Sequence, residues 1–180
     1  MKIYSKTGDD GTSALYAQQA RLKKSDPVFG VLGSLDELNA SLGFLHLSKI
    51  KQIKLIAYDI QRDLFLLGSY VAGKKMEKRD CTYWETRLKY VEETIDKVEA
   101  QNTPLTHFIL PGGSVESSYL HVCRVQARKL ERIFVKYKLE RKLADYEFVQ
   151  KYLNRISDLF FALARYANKK QKIEDVIWKI

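Results

Sequence analysis

The sequence contains few cysteine, histidine and proline residues and no long apolar run. Its two cysteines, Cys81 and Cys123, lie in segments of helical periodicity and exclude both a disulfide framework and a CxxC metal site. No stretch approaches the roughly 18 consecutive apolar residues that a membrane-spanning helix needs. Residues 1–6 lack the apolar core of a signal peptide. These absences predict a cytoplasmic protein that has no membrane partner.

Length and composition are those of one globular domain. A chain of 180 residues buries about 70% of its unfolded surface without a disulfide or metal staple. Hydrophobic residues make up 46% and charged residues 29%, which is typical of a folded chain rather than a disordered one. We expect a single domain with an ordered loop over residues 1–26, a helical bundle over 27–168 and a C-terminal tail over 169–180.

The charge of the chain favours an anionic partner. There are 31 Lys and Arg residues against 22 Asp and Glu residues, which gives a net charge of +9. Such an excess suits a nucleic acid, a membrane surface or a phosphate-rich small molecule. Most of the lysines can equally form a solvated surface, so the informative question is whether basic residues converge on one face.

Apolar residues recur at steps of three and four along five segments, which predicts five helices. The first runs from Pro27, with Asp26 as N-cap, to about Ser48, and the second covers about 50–72. The third begins at a capping box formed by Thr82 and Glu85 and ends at about 101. The fourth follows the turn Pro111–Ser114 and contains the apolar seam Leu120–Tyr137, and the fifth covers about 143–168. No βαβ alternation and no sequence repeat is present. The pattern predicts an all-α, five-helix up-and-down bundle with an ordered N-terminal loop.

Three arginines and a glutamate lie on one stripe of the fourth predicted helix. Arg124, Arg128, Glu131 and Arg132 fall at i, i+4, i+7 and i+8, beside the apolar seam. One interpretation is a solvated face with an Arg–Glu pair worth about 0.3–0.5 kcal/mol. The other is a binding site for a polyanion such as triphosphate, which would relieve the repulsion between stacked guanidiniums.

The N-terminal segment has the composition of a phosphate-binding loop. Residues 5–13 combine hydroxyl groups with Lys6, Gly8 and Gly11. Glycines let the backbone approach a ligand, and exposed N–H groups in such loops hold phosphate. Lys24 adds a further cation just before the first helix. The loop by itself is weak support for phosphate binding. The arginine stripe strengthens that interpretation.

Other motifs are absent or incomplete. Residues 68–75 nearly match a Walker A loop, but Lys75 stands where Ser or Thr must hold Mg²⁺, and a helix precedes it. No Glu-x-x-His pair precedes His46, His107 or His121, so no di-iron site is expected. We expect no protein-bound metal, and His121 is of interest only because it lies one turn before Arg124.

Five blocks of the sequence together carry a family resemblance. They are Ser5–Gly11, Arg21 with Lys24, Leu35–Asn39, Phe108–Gly113 with Arg124–Arg132, and Asn154–Phe160 with Ala164–Arg165. In this order, over essentially the whole chain, they resemble the PduO-type ATP:cob(I)alamin adenosyltransferases. The resemblance implies a ferritin-like five-helix bundle that assembles as a homotrimer with ATP between neighbouring subunits. The implied reaction transfers the 5′-deoxyadenosyl group of ATP to the cobalt of cob(I)alamin, forming adenosylcobalamin and releasing triphosphate.

The same resemblance implies roles for individual residues. Arg128 and Phe108 would be catalytic, with Phe108 approaching the lower face of the corrin. Asp36 and Arg124 would form an ion pair across the subunit boundary. The residues implied to bind ATP are Ser5, Lys6, Thr7, Gly8, Ser13, Lys24, Arg128, Glu131, Arg132 and Asn154. The chain departs from the family pattern at Lys129, where a second arginine is usual, and at Ser5, where threonine is usual.

Asp36 has a further feature in the sequence. It lies between the apolar Leu35 and Leu38, and its neighbours at i±4 are Leu32 and Ala40, so no local cation neutralises it. An unpaired carboxylate is unfavourable in a packed bundle. We therefore expect Asp36 to need a partner from outside its own helix.

The implied chemistry matches the residue types present. The reduced corrinoid is itself the nucleophile, so the site must hold ATP in line and stabilise charge on the departing triphosphate, with Mg²⁺ helping. An apolar corrin pocket would favour loss of the lower axial ligand, and a corrinoid reductase is a further expected partner. The alternatives are a basic helical module that binds nucleic acid and a helical adaptor. Neither needs the glycine–hydroxyl loop, and no nucleic-acid motif is present.

Overall fold

The computed structural model describes residues 3–4, 6–15, 21–143 and 146–179, which form five α-helices and four short strands. The helices are α1 (Pro27–Phe44), α2 (Lys51–Val71), α3 (Lys78–Glu99), α4 (Val115–Arg141) and α5 (Glu147–Lys170). The strands are β1 (Thr12–Ala14), β2 (Arg21–Lys23), β3 (Ile109–Leu110) and β4 (Val176–Ile177). The predicted five-helix bundle is confirmed, with two small antiparallel sheets added.

The core lies between α4 and its neighbours. Helix α4 packs along α5 and α1, α3 packs on α5, and α1 packs on α2. The apolar seam predicted on the fourth helix is fully buried at Leu120, Cys123, Ala127, Leu130 and Phe134. Each large apolar side chain buried in this way contributes about 1.5–3 kcal/mol. The opposite, polar side of α4 is therefore the side that is free to bind a ligand.

The N-caps of α1 and α4 agree with the sequence analysis. The backbone N–H of Val28 donates to Asp26 Oδ1 at 3.0 Å, and the N–H of Ser117 donates to Ser114 Oγ at 3.1 Å. Asp26 also accepts two hydrogen bonds from Arg141, at 2.8 and 2.6 Å. The bonds from Val28 and Arg141 lower the pKa of the Asp26 carboxyl. This pair ties the last turn of α4 to the first turn of α1.

Three predicted helix boundaries are wrong. Helix α3 begins at Lys78, because Glu77 and Asp80 form the capping box instead of Thr82 and Glu85. Helix α1 ends at Phe44, and a 3₁₀ turn over Leu45–Leu47 follows it. Helix α5 begins at Glu147 rather than near 143, after α4 has ended at a left-handed Lys142 with a φ of +53°. These errors arise because capping chemistry is local and several nearby residues can supply it.

A buried carboxylate joins three helices. Asp63 of α2 is 1% exposed and accepts hydrogen bonds from Tyr83 at 2.6 Å and from Arg87 Nε at 2.8 Å. Tyr152 of α5 donates to the same carboxylate at 2.5 Å. Burial, with the neighbouring carboxylate, raises the pKa of Tyr83 to about 12, so its hydroxyl remains a donor. The network fixes α3 against α5, and these two helices form walls of the cleft described below.

The short strands form two antiparallel two-stranded sheets. Strand β1 pairs with β2, with Thr12 opposite Lys23, which fits the loop or short strand expected near the N-terminus. Strand β3 pairs with β4, with Ile109 opposite Ile177, so the C-terminal tail packs beside the segment before α4. Two-residue strands far apart in sequence leave no periodic signal, and this pairing was not predicted. None of the helices in the described ranges has the length and apolar character of a membrane span.

Candidate active site

Arg21 holds the N-terminal loop closed. Its Nε donates to Thr12 Oγ1 at 2.7 Å and its Nη2 donates to the Thr12 carbonyl at 3.0 Å and to the Thr7 carbonyl. The Asp10 carboxylate accepts from the N–H of Thr12 at 2.9 Å and from its hydroxyl at 2.7 Å. These bonds from Thr12, more than the charge of Arg21, lower the pKa of Asp10. The loop is thus shaped by its own side chains, although it is exposed.

Lys24 also belongs to this loop. Its Nζ donates to the Gly8 carbonyl at 2.8 Å. A Cβ at Gly8 would lie 3.2 Å from the Thr12 carbonyl oxygen and 3.3 Å from Lys24 Nζ, so any side chain there would crowd the loop. Lys6 adopts a left-handed φ of +61°. The phosphate contacts implied for Ser5 cannot be placed, since that residue lies outside the described ranges.

The three arginines of α4 carry unbalanced charge. Arg128 and Arg132 are exposed, and Arg124 is half-buried. Arg132 donates to the Arg128 carbonyl at 3.0 Å, and Arg124 Nε donates to His121 Nδ1 at 3.3 Å. Across the residues that the structure describes, no carboxylate forms an ion pair with these guanidiniums. The Arg–Glu pair of the solvated-face interpretation is therefore not formed, which favours the anion-binding interpretation.

Glu131 is hydrogen-bonded to Asn154 and not to an arginine of the stripe, and Asn154 was also predicted as a site residue. Asn154 Nδ2 of α5 donates to Glu131 Oε1 at 3.1 Å. Arg155 donates to Asn154 Oδ1 at 2.9 Å and to Glu92 of α3 at 2.9 Å. A hydrogen-bonded chain across three helices thus joins Glu131 to Asn154, and Glu131 lies on the same stripe of α4 as Arg128 and Arg132.

A cleft opens beside the stripe between α3, α4 and α5. Its volume is about 230 Å³. The lining residues include Arg124, Arg128, Glu99, Asp158 and Phe161. Sequence reasoning assigned no role to Asp158 or Phe161. They follow Asn154 at i+4 and i+7, so helical periodicity on α5 was the signal that could have found them.

Lys129 contacts a residue of its own chain. Its Nζ lies 2.8 Å from Glu37 Oε2, and the pair links α4 to α1. Both side chains are about half exposed, so the pair contributes little to stability. Lys129, which stands where the family pattern usually has arginine, therefore has an ion-pair partner on α1 in the single chain.

Phe108 lies outside the core, with 81% of its surface exposed. The N–H of Trp178 donates to the Phe108 carbonyl at 2.8 Å, and the two rings meet edge to face with centroids 6.5 Å apart. A purely structural core role for Phe108 is excluded by this exposure. Trp178 is a contact that no sequence signal indicated.

The base of the predicted loop and the arginine stripe lie at different positions along α4. The loop joins the bundle at Asp26, which pairs with Arg141 at the C-terminal end of α4. Arg128 precedes Arg141 by 13 residues, a distance of about 20 Å along a helix. Asp36 is exposed in the single chain rather than packed inside the bundle. Its side chain points away from the apolar stripe formed by Leu35 and Leu38. The pair implied between Asp36 and Arg124 lies across a subunit boundary and stays a prediction.

His121 is the buried histidine of this region. Burial, with the nearby charge of Arg124, lowers its pKa to about 4, and Asp175 opposes this shift only in part. The unfolded chain takes up this proton as the pH falls through about 6.5, whereas the folded chain does not. Stability therefore decreases as the pH falls from about 6.5 towards 4.

We expect His121→Gln to reduce this loss of stability. The measurement is the free energy of unfolding in urea at about pH 7 and pH 5, with His107→Gln, at an exposed position, as the control. An equal loss in wild type and His121→Gln would contradict the assignment.

The fold and site together define a helical-bundle protein with an arginine-bearing cleft whose charge suits a polyanion. A family model described as cobalamin adenosyltransferase matches residues 3–167. The chain belongs to this family.

Curated relatives and solved structures agree. The corrinoid adenosyltransferase of Bacillus subtilis (strain 168) is 36% identical over 182 residues, covering 98% of this chain and 91% of the relative. That of Citrobacter freundii is 34% identical over 167 residues, covering 91% and 93%. A variant PduO-type ATP:corrinoid adenosyltransferase from Lactobacillus reuteri, complexed with cobalamin and ATP, superposes with a TM-score of 0.87 at 32% identity over 99% of this chain and 97% of that one. The chain is a corrinoid adenosyltransferase, an enzyme that uses ATP to form adenosylcobalamin.

Proposed function

We propose that adenosyl transfer takes place at a site completed by two subunits of a homotrimer. The arginine stripe and cleft of one subunit bind ATP together with the N-terminal loop of its neighbour. The observation that carries this proposal is that Asp26, where the loop joins the bundle, pairs with Arg141, about 20 Å along α4 from Arg128. The guanidiniums of α4 and the exposed Asp36 support it, since none of them forms an ion pair within the described part of the chain.

The triphosphate is the group these residues suit. Arg128 and Arg132 donate charged hydrogen bonds to phosphate oxygens, and Asn154 holds Glu131 beside them. The loop residues proposed to contact the phosphates are Ser5, Lys6, Thr7, Gly8, Ser13 and Lys24. In the described ranges, no three acidic, cysteine or histidine side chains converge on a metal position. We propose that Mg²⁺ enters bound to ATP, with Glu131 among the acidic residues of the site.

The reaction needs no proton transfer from the protein. The cobalt of cob(I)alamin supplies the electron pair that forms the bond to C5′, the C5′–O bond breaks, and its electrons leave with triphosphate. The arginines stabilise the charge that develops on the leaving group. A neutral, buried His121 whose Nδ1 accepts a hydrogen bond from Arg124 is consistent with a positioning role only.

The corrinoid half of the site is assigned to Phe108. Its exposed ring is proposed to cover the lower face of the corrin and exclude an axial ligand there. The two cysteines are free, Cys81 exposed and Cys123 buried, which suits the reducing environment of a cytoplasmic enzyme. We propose that a corrinoid reductase supplies the reduced substrate.

Mixing two inactive variants tests the shared site. Lys6→Ala removes the loop cation and Arg128→Ala removes the stripe cation, so each homotrimer should be nearly inactive. In mixed trimers some sites combine an intact loop from one chain with an intact stripe from the other. If subunits exchange at random at equal concentrations, about one quarter of the sites should combine the two intact halves and regain activity.

The control is a mixture of the Arg128→Ala variant and the Arg132→Ala variant, because both changes lie on the same half of the site. That mixture should stay inactive. Recovery in the control, or none in the Lys6→Ala and Arg128→Ala mixture after verified subunit exchange, would contradict a site built from two chains.

The proposed Asp36–Arg124 pair is testable by a double-mutant cycle. Breaking one side of a pair buried at an interface leaves the other charge stranded, at a cost of about 3–5 kcal/mol. Asp36→Asn should therefore weaken the trimer or ATP binding, and adding Arg124→Ala should cost less than the sum of the single changes. Sedimentation velocity and ATP titration measure the two effects.

Glu37→Gln is the matched control, since Glu37 is adjacent and pairs with Lys129 within its own chain. It should leave assembly unchanged. A fully active wild-type monomer in sedimentation would exclude an intersubunit pair and an intersubunit site.

A further inference from the structure

Asn168, near the end of α5, binds two other segments through its side chain. It is 3% exposed. Its Oδ1 accepts from the N–H of Ser114 at 2.9 Å, and its Nδ2 donates to the Gly112 carbonyl at 3.1 Å and to Asp175 Oδ1 at 3.1 Å. One carboxamide thus links the turn before α4 to the C-terminal tail.

The turn is shaped to receive this carboxamide. Gly113 has a φ of +102°, and a Cβ there would lie 2.3 Å from Asn168 Oδ1. No side chain fits at that distance, so Asn168 occupies the space that a residue other than glycine would fill. The Ser117 hydroxyl donates to the Gly112 carbonyl at 2.8 Å and holds the same turn from α4.

Arg165 completes the arrangement one turn earlier on α5. Its side chain is 4% exposed, and its Nε donates to Asp175 Oδ2 at 2.9 Å. Its Nη2 donates to the Thr103 carbonyl at 2.6 Å. Asp175 therefore contacts Asn168 with one oxygen and Arg165 with the other. We call Arg165, Asn168 and Asp175 the polar clamp.

The polar clamp holds both ends of the segment that carries Phe108. Arg165 binds that segment at Thr103, and Asn168 binds it at Gly112. Strand β4, which pairs with β3 beside Phe108, follows Asp175 directly. The clamp therefore controls the Phe108 segment and the strand that pairs with it.

Apolar packing does little to hold this region. Leu105, Leu110, Val176 and Ile177 are each 45–56% exposed. A cavity of about 540 Å³ separates parts of the Phe108 segment from the tail, with Arg165 and Asp175 on its wall. Hydrogen bonds from the buried side chains of Arg165 and Asn168 are therefore the main interactions that fix the two ends of the segment.

We propose that Arg165, Asn168 and Asp175 are positioning residues for the corrinoid half of the reaction. They contact neither substrate and act by fixing Phe108 through the Thr103–Gly112 segment and strand β4. This inference rests on the role proposed above for Phe108. Because misplacement of a reacting group by about 1 Å can cost 100-fold in rate, a loosened clamp lowers corrinoid turnover while ATP binding is unchanged.

The test substitutes Asn168 by an isosteric residue. Asn168→Asp keeps the acceptor for Ser114 but removes both N–H donors and places a carboxylate against Asp175. We expect kcat/KM for cob(II)alamin under reducing conditions to fall at least about tenfold, with KM for ATP within about twofold. Amide hydrogen exchange at residues 108–110 and 176–178 should accelerate, with exchange in α1 and α2 unchanged.

Rescue and control variants make the result specific. Adding Asp175→Asn to Asn168→Asp restores a donor–acceptor pair between the two positions and should recover part of the lost protection and turnover. Lys179→Ala, at an exposed position of the tail, should leave both unchanged. If Asn168→Asp does not fold, Asp175→Ala removes the same link from the tail side and is expected to give the same two readouts.

If amide hydrogen exchange at residues 108–110 and 176–178 in Asn168→Asp equals that of the wild type, the clamp does not hold these segments, whatever the activity of the variant. Faster exchange with wild-type corrinoid kinetics would overturn its positioning role. Unchanged kinetics in Phe108→Ala would instead contradict the function proposed for Phe108, and the exchange data would still decide whether the clamp exists.

Discussion

Arg128→Ala is expected to lower kcat/KM for ATP by about 10- to 150-fold. A charged hydrogen bond to phosphate is worth about 1.5–3 kcal/mol, which corresponds to that range. Arg128 is exposed, lines the cleft and has no ion-pair partner among the residues that the structure describes, so its loss should cost little stability. Steady-state kinetics at saturating reduced corrinoid, with a thermal melt of each variant, separate the two effects.

Lys136→Ala is the control for this substitution, because Lys136 lies on the same helix and only forms a weak exposed pair with Glu140 at 3.8 Å. It should leave the kinetics unchanged, whereas Lys6→Ala should act in the same direction as Arg128→Ala. Wild-type ATP kinetics in folded Arg128→Ala and Lys6→Ala would show that the nucleotide binds elsewhere.

Phe108→Ala is expected to reduce adenosylation of cob(II)alamin under reducing conditions by about 10- to 150-fold, since burying an aromatic ring against a ligand is worth about 1.5–3 kcal/mol. The melting temperature should change little, because the ring is 81% exposed and contacts mainly Trp178. A buried phenylalanine would instead cost about 3–5 kcal/mol of stability on truncation to alanine.

Leu105→Ala is the control in the same segment, since Leu105 is also apolar and about half exposed. It should leave turnover near the wild-type value. A large loss of stability in Phe108→Ala, with normal turnover by the folded fraction, would show that the ring serves the fold and not the corrinoid.

Local signals in the sequence predicted most of the bundle. The three- and four-residue period of Leu120 to Phe134 predicted the buried seam of α4, and the same period placed Arg124, Arg128 and Arg132 on its polar side. Helical geometry repeats over a few residues, so such patterns can be recognised without tertiary information. The family resemblance similarly rests on short blocks whose order is visible in the chain.

Long-range contacts had no such signal. Arg165 belongs to one of the family blocks, but neither Arg165 nor Asn168 carries a local signal in the sequence for the residues that it contacts. Their partners Gly112, Thr103 and Asp175 come from two other segments. A polar residue becomes a clamp only when folding buries it among partners that are distant in sequence, and no local period encodes that.

The sequence alone was sufficient to predict five helices, a cationic stripe with a glycine–hydroxyl loop, and the family. Only the tertiary structure showed that the loop and stripe lie at different positions along α4, that Asp36 and Phe108 are exposed, and that the tail pairs beside Phe108. The physical reason is that helix formation depends on residues three and four apart. The placement of a loop or tail depends on contacts such as Arg141–Asp26, which join residues 115 positions apart.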